Sequence, residues 1–236
     1  MKRSRTKTET DSEEADIRDL PAYSIAEAAH YLSVAQPTVR YWAIGQGPYK
    51  PLIDIPQKEP ALLSFLNMVE LHVLAAIRRK HAVSMPKVRS AIDYLRENTH
   101  SARDSKHPLI SKQLQTDGLN LFIERYGELV NISKAGQIAM KEVMTTALRR
   151  VERDPAGVPV KLYPFTRNSI DDAPAMIVID PTLSGGRPVI TGTGLATEVI
   201  AERYKAGESV SDLARDYERK EAEIEEAIRS ELRFAA

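Results

Sequence analysis

The stretch from Ser24 to about residue 44 constrains the fold most, because it permits two short helices and little else. Ser24 followed three residues later by Glu27 is a capping-box pattern, and Ile25, Ala28, Ala29 and Leu32 share one face of the helix it opens. Ser33-Val34-Ala35-Gln36 then makes a tight turn. Pro37 suits the first position of a second helix, whose fixed φ and missing N–H cost nothing there. That helix runs through Val39 and Trp42 to about residue 44.

Breakers and caps divide the rest of the chain. Gly45, Gly47, Pro48, Pro51, Pro56 and Pro60 leave room only for short extended pieces such as 52–55. A helix is predicted over 64–80, with Leu66, Val69, Val73, Leu74 and Ile77 at helical spacing. Ser84 is expected to cap another, with Val88, Ala91, Ile92 and Leu95 inward, and 99–111 reads as a linker. Residues 119–123 and 128–132 are expected to pair as a hairpin across Tyr126-Gly127. Ser133 then caps a helix over 134–152, with Met140, Val143, Met144, Ala147, Leu148 and Val151 inward, before a strand at 160–165. After a boundary near Asp171 come a strand at 176–179, a Gly-rich extended segment at 184–193 (SGGRPVITGT) and three helices near 197–205, 210–217 and 220–233. The expected fold is mainly α with small β elements. Its parts are a disordered arm (1–22), a winged helix-turn-helix (23–98), a linker with an α+β middle segment (99–173), and a β-hairpin with a small helical bundle resembling a helix-turn-helix (174–236).

The chain has no cysteine, which excludes a disulfide framework, a thiol nucleophile and a Cys-based zinc site. Its apolar runs are far below the roughly 18 residues that span a bilayer. The charged N-terminus has no apolar core of a secretory signal, so a soluble, cytoplasmic protein is expected. The 33 basic and 33 acidic side chains cancel, but unevenly. Residues 1–22 carry 5 basic and 6 acidic groups (−1), 23–167 carry 20 and 13 (+7), and 168–236 carry 8 and 14 (−6). A basic body joined to an acidic end suggests two different partners.

The two short helices and four-residue turn at 24–44 describe a helix-turn-helix. The second helix fits the roughly 12 Å major groove, and Gln36, Thr38 and Arg40 near its N-terminus are candidates for base edges or phosphates. Tyr41 is a candidate phosphate donor, and Trp42 is read as a core anchor. The segment YSIAEAAHYLSVAQPTVRYWAIGQGPYKPLI, its Pro-rich continuation and the helix pair 64–97 resemble the winged helix-turn-helix domain of the MerR family, over about residues 23–97. The resemblance implies DNA contacts from Thr38, Arg40 and Tyr41, with Lys50 on the wing. The wing lacks the family's Arg-rich end, and no long dimerisation helix with effector-binding cysteines follows. Arg78-Arg79-Lys80 suits either phosphate contact or favourable charge at a helix C-terminus.

Residues 177–232 hold an Asp-Pro turn, a Gly-Arg-Pro-x-Ile-x-Gly-Thr hairpin, and helices bearing Gly-x-Ser and Leu-Ala-x-x-Tyr. This order resembles a small antitoxin-associated domain of unknown function. Gly194 departs from it, since Arg or Lys commonly follows Gly-Thr there. Gly185, Gly186, Gly192 and Gly194 fit turn geometry better than phosphate binding, because no Lys-Ser/Thr follows as in a P-loop. The two-domain arrangement resembles VapB antitoxins of type II VapBC modules. That implies a PIN-domain ribonuclease toxin and operator DNA as partners, with Arg187, Arg203, Tyr204, Asp212, Arg215 and Tyr217 facing the toxin. An acidic segment is also suited to the basic rim of a ribonuclease groove.

His30, His72, His81, His100 and His107 show neither an HExxH pattern nor ligand spacing with carboxylates, and Ser184 is not in a nucleophile elbow. No enzyme activity, metal or cofactor is expected. The expected function is an antitoxin that masks its toxin and represses its own operon, acting as a homodimer or as a toxin–antitoxin hetero-oligomer. The alternatives are a stand-alone MerR-like regulator and an adaptor that uses the helix-turn-helix as a packing unit.

Overall fold

Ser24 closes the capping box in full: its Oγ accepts from the Glu27 amide at 3.1 Å, and Glu27 Oε2 accepts from the Ser24 amide at 2.8 Å. This computed structural model describes residues 16–80, 84–99, 101–115, 117–130, 133–167 and 173–232. It is mainly helical with small antiparallel sheets. The box starts α1 (Ile25–Tyr31), and Pro37 lies in the first turn of α2 (Gln36–Ile44). Gly45 ends α2 at φ +86°, where a Cβ would lie 2.3 Å from the Tyr49 carbonyl oxygen. Only glycine allows the chain to turn back there.

The loop from 45 to 55 is then pinned beneath α2, with the Leu52 amide donating to the Trp42 carbonyl at 2.7 Å. Leu52 and Ile53 are buried in a bend, not in the extended piece expected at 52–55. β1 (Tyr23–Ser24), β2 (Gln57–Lys58) and β3 (Ala61–Leu63) form an antiparallel sheet in the order β1-β3-β2.

α3 (Phe65–Lys80) is apolar around most of its circumference and is correspondingly buried, the mark of a central helix. It packs against α7 (Lys134–Leu148). α4 (Met85–Glu97) packs on α6 (Asp117–Val130). Ser84 holds the N-cap position of α4, but its side chain makes no cap bond.

Several sequence expectations need correction. Residues 119–132 do not form a hairpin: up to Val130 they belong to α6, and residues 131–132 lie outside the described residues. Leu119, Phe122, Ile123 and Tyr126 are buried at spacings of three and four, a helical stripe that outweighs the turn signal of Gly127. Nor is 99–111 a plain linker. Ser101 caps α5 (Ala102–Lys106), and a 3-10 turn follows in which Pro108, Leu109 and Ile110 are buried. α7 stops at Leu148, and Val151 instead opens β4 (Val151–Arg153), which pairs with β5 (Pro159–Leu162). Within the expected arm, residues 1–15 lie outside the described residues, but 16–22 are fastened down. Arg18 pairs with Asp154 at 2.7 Å, and the Ala22 amide donates to the Leu63 carbonyl.

β6 (Ile177–Val178) and β7 (Val189–Ile190) form a small antiparallel pair. α8 (Thr197–Lys205), α9 (Val210–Asp216) and α10 (Glu221–Leu232) follow as expected, with Ser209 capping α9. One buried cluster runs from Tyr23 to Ala173 and takes in Ile179, so 23–98 and 99–173 share a core. A second core, built on Ile177, Ile190, Ile200, Leu213, Ile224 and Ala227, belongs to the C-terminal part. The two parts meet along β1, α1 and the end of β5, where Leu162 bridges to Ile179. His30 Nε2 lies 2.7 Å from Glu231 Oε2, and the Tyr23 hydroxyl donates to the Gly186 carbonyl at 2.9 Å. Arg167 adds a 2.9 Å pair with the buried carboxylate of Glu226.

Candidate nucleic-acid and partner interfaces

Gln36 and Arg40 are exposed on α2, Thr38 and Tyr41 are half-buried, and Trp42 is fully buried as the anchor between the helices. α2 thus has a polar outer face on a rigid support. Lys50 is exposed on the adjoining loop, next to the half-exposed Tyr49. The Tyr41 and Tyr49 rings meet edge to face at 6.4 Å.

Two arginines from α4 hold this loop. Arg89 places its guanidinium 5.8 Å from the Tyr41 ring centre and 5.9 Å from that of Tyr49, and donates to the Lys50 carbonyl. Arg96 donates to the Leu52 carbonyl at 3.1 Å and lies 3.6 Å from Asp54. A cation shared by two aromatic faces and a carbonyl fixes the loop relative to α2. The sequence-derived set omitted both. Their seven-residue spacing places them on one face of α4, a legible signal, but what that face meets is not written in the pattern.

Among the basic run at the end of α3, Arg78 is exposed. Arg79 donates to the Leu32 carbonyl at 2.7 Å and lies over Phe165 at 5.9 Å, which ties α3 to the turn between α1 and α2.

The six C-terminal candidates are largely committed within their own fold. Arg187 pairs with Glu198 at 2.7 Å, across a cavity of about 330 Å³ that also touches Glu27, His30 and Glu231. Arg203 bonds to Glu208 through Nε at 2.7 Å and to Asp216 at 2.8 Å, and its guanidinium stacks over Tyr217 at 5.1 Å. Asp212 accepts from Ser209 at 2.6 Å and pairs with Arg215. Tyr204 stands out at 40% exposure, together with Val199 at 44% and Leu183 at 37%.

One buried cluster was not foreseen. His107, 1% exposed, has Nδ1 2.9 Å from Glu70 and Nε2 3.1 Å from Asp19; Lys106 also donates to Asp19 at 2.8 Å. Glu70 is fully buried and accepts from Asn67 Nδ2 at 3.2 Å. Burial opposes charge on His107, but the two carboxylates outweigh it and its pKa is raised. Burial likewise pushes Asp19 up, and the bonds from Lys106 and His107 reverse this and leave it lowered. With both ring nitrogens engaged by carboxylates, His107 has no lone pair turned toward a nucleophile, as a general base requires. The cluster fastens the segment before β1 to α3. His72, stacked on Phe165 at 4.7 Å, is pushed down to about 3 by burial and by Arg79. His81 and His100 lie outside the described residues. Among the described residues no helix is long and apolar enough to cross a membrane.

A family model described as a protein of unknown function, DUF433, matches residues 177–229. The chain is 29% identical over 233 residues to a Mycobacterium tuberculosis protein named "Putative antitoxin VapB45", covering 87% of this chain and 92% of that one. It is 24% identical over 221 residues to "Uncharacterized protein Rv2308" of the same organism, covering 89% and 90%. Among solved structures it is similar to Rv2018 of Mycobacterium tuberculosis, with a TM-score of 0.66 and 25% identity over 89% of this chain and 98% of that one.

Proposed function

We propose that this chain is the antitoxin of a type II toxin–antitoxin module of the VapBC kind. The observation that carries the reading is the similarity to a protein named as an antitoxin, which runs through nearly the whole of both chains and not through one domain alone. In this reading residues 174–236 bind a PIN-domain ribonuclease. The exposed Tyr204 and Val199 supply apolar contact, Arg187, Arg203, Asp212 and Arg215 exchange their ion pairs for contacts with the toxin, and Tyr217 exchanges its stacking under Arg203.

Residues 23–98 act as a winged helix-turn-helix on operator DNA, and 99–173 are the scaffold that completes their core. The exposed Gln36 and Arg40 support this, as does the fastening of the Lys50 loop beside α2. Thr38 and Tyr41 complete the contact face. Short recognition helices read two half-sites related by a two-fold axis, so two copies act together.

Co-expression with the product of the adjacent gene tests the proposal. The expected result is a neighbour that arrests growth alone, is harmless together with this chain, and co-purifies with it. A chain that binds DNA upstream of its own gene but has no toxic or co-purifying neighbour would identify a stand-alone regulator instead.

A further inference from the structure

We infer that the outer face of the α6–α7 pair is the surface through which two copies of this chain associate. The inference deepens the two-copy part of the proposed function and rests on it for its purpose, but it concerns a surface well separated in sequence from the reading helix. Ile138 on α7 is 59% exposed, the most exposed large apolar side chain among the described residues. It borders a shallow groove of about 300 Å³ between α6 and α7, floored by Ile123. Charges flank it: Glu124 on α6, and Lys134 and Lys141 on α7. None of these three forms an ion pair or a side-chain hydrogen bond among the described residues, whereas the C-terminal candidate arginines are all paired.

The occupant follows from the distribution of sign. In an isologous pair every contact occurs twice, residue i on residue j and j on i, so the surface must complement itself. The α6 side of the groove presents a carboxylate and the α7 side presents two ammonium groups, with an isoleucine between them. A two-fold axis laid along the seam places Ile138 of each copy in the groove of the other and brings Lys141 to the partner's Glu124. A uniformly acidic or basic partner would satisfy only one side. Two copies also supply two α2 helices, the number that a two-fold operator requires.

The test uses the full chain in sedimentation equilibrium, with circular dichroism as a check on folding. The wild type is expected to be a dimer at micromolar concentration, and Ile138→Asp to raise the dissociation constant tenfold or more with an unchanged spectrum. Lys141→Glu should also weaken the dimer, and adding Glu124→Lys should restore it. A role confined to the stability of each chain predicts no such rescue. A wild-type dimer that Ile138→Asp leaves intact, with no effect of the charge reversal, overturns the interface while leaving two-copy DNA reading in place. A monomer that pairs only on a two-fold DNA site likewise overturns the interface. Failure to bind DNA at all, with the dimer and its rescue as expected, overturns the reader and leaves the interface.

Discussion

Replacing His107 with alanine isolates the buried cluster energetically. The ring is almost fully enclosed and lies 2.9 Å from Glu70, a carboxylate with no exposed surface. Removing one partner of a buried pair leaves the other charge uncompensated, at a cost of about 3–5 kcal/mol. Asn67 Nδ2 still reaches Glu70 at 3.2 Å, which favours the lower end, about 3 kcal/mol. For a chain of this size each kcal/mol shifts Tm by roughly 2–4 °C, so a fall of about 6–12 °C is expected. The pH dependence is an independent readout. The pKa of His107 is raised in the folded state, so its stabilisation is complete below about pH 6.5 and is lost as pH rises through the folded value. Within that window the folded chain holds a proton that the unfolded chain has released, and wild-type stability falls by up to about 1.4 kcal/mol per pH unit. Urea denaturation at a series of pH values measures both effects, and the alanine variant should lose the slope as well as the stability. Replacing the pair together, Glu70→Met with His107→Phe, should recover most of the loss, since no buried charge is then stranded. A loss below about 1 kcal/mol, or a slope above pH 6.5 that survives in the variant, would refute the account.

Four further outcomes are expected. Arg40→Ala should weaken binding to the operator and lower the magnitude of its salt slope by about 1, measured by fluorescence anisotropy at several salt concentrations. Arg89→Ala should free the Lys50 loop from Tyr41 and Tyr49 and weaken operator binding by about tenfold, with the melting temperature little changed. Gly186→Ala forces a Cβ to 2.4 Å from the Tyr23 hydroxyl at φ +79°. It should destabilise the docking of the C-terminal part by about 1–3 kcal/mol, read by hydrogen exchange at β7, and Tyr23→Phe should fail to relieve the strain due to φ. Glu226→Gln, which removes the buried carboxylate that both Arg167 and Arg229 contact, should lower Tm by several degrees, whereas Arg229→Gln, at the exposed end of the same contact, should shift it little.

Local signals carried much of the first 80 residues. The capping box at Ser24, Pro37 in the first turn of α2 and the helical spacing of Leu66, Val69, Val73, Leu74 and Ile77 in α3 are decided within a few turns of chain, and the structure has each where the pattern places it. The same reading misassigned 119–130, where a Tyr-Gly pair suggested a turn although Leu119, Phe122, Ile123 and Tyr126 keep helical spacing. It also ended α7 four residues late, because Val151 is apolar and in phase with the helix yet is claimed by pairing with Leu162. Register with a distant strand leaves no trace in a local window.

The candidate surfaces divide in the same way. Polar positions on the outer face of α2 were legible because a short amphipathic helix must turn its remaining side chains to solvent, and Gln36 and Arg40 do so. Zero net charge was equally readable as a basic body and an acidic end. Which charges are spent inside the fold was not readable. Arg79 is bound to the Leu32 carbonyl, and Arg203 is held by Glu208, Asp216 and Tyr217. His107 meets Glu70 across 37 positions and Asp19 across 88. By itself the sequence determined the helices, their caps and the sign of each segment, because those depend on neighbours along the chain. Tertiary structure alone decided which charges are paired within the fold, because an ion pair is a matter of distances of a few ångströms between residues that the chain order keeps far apart.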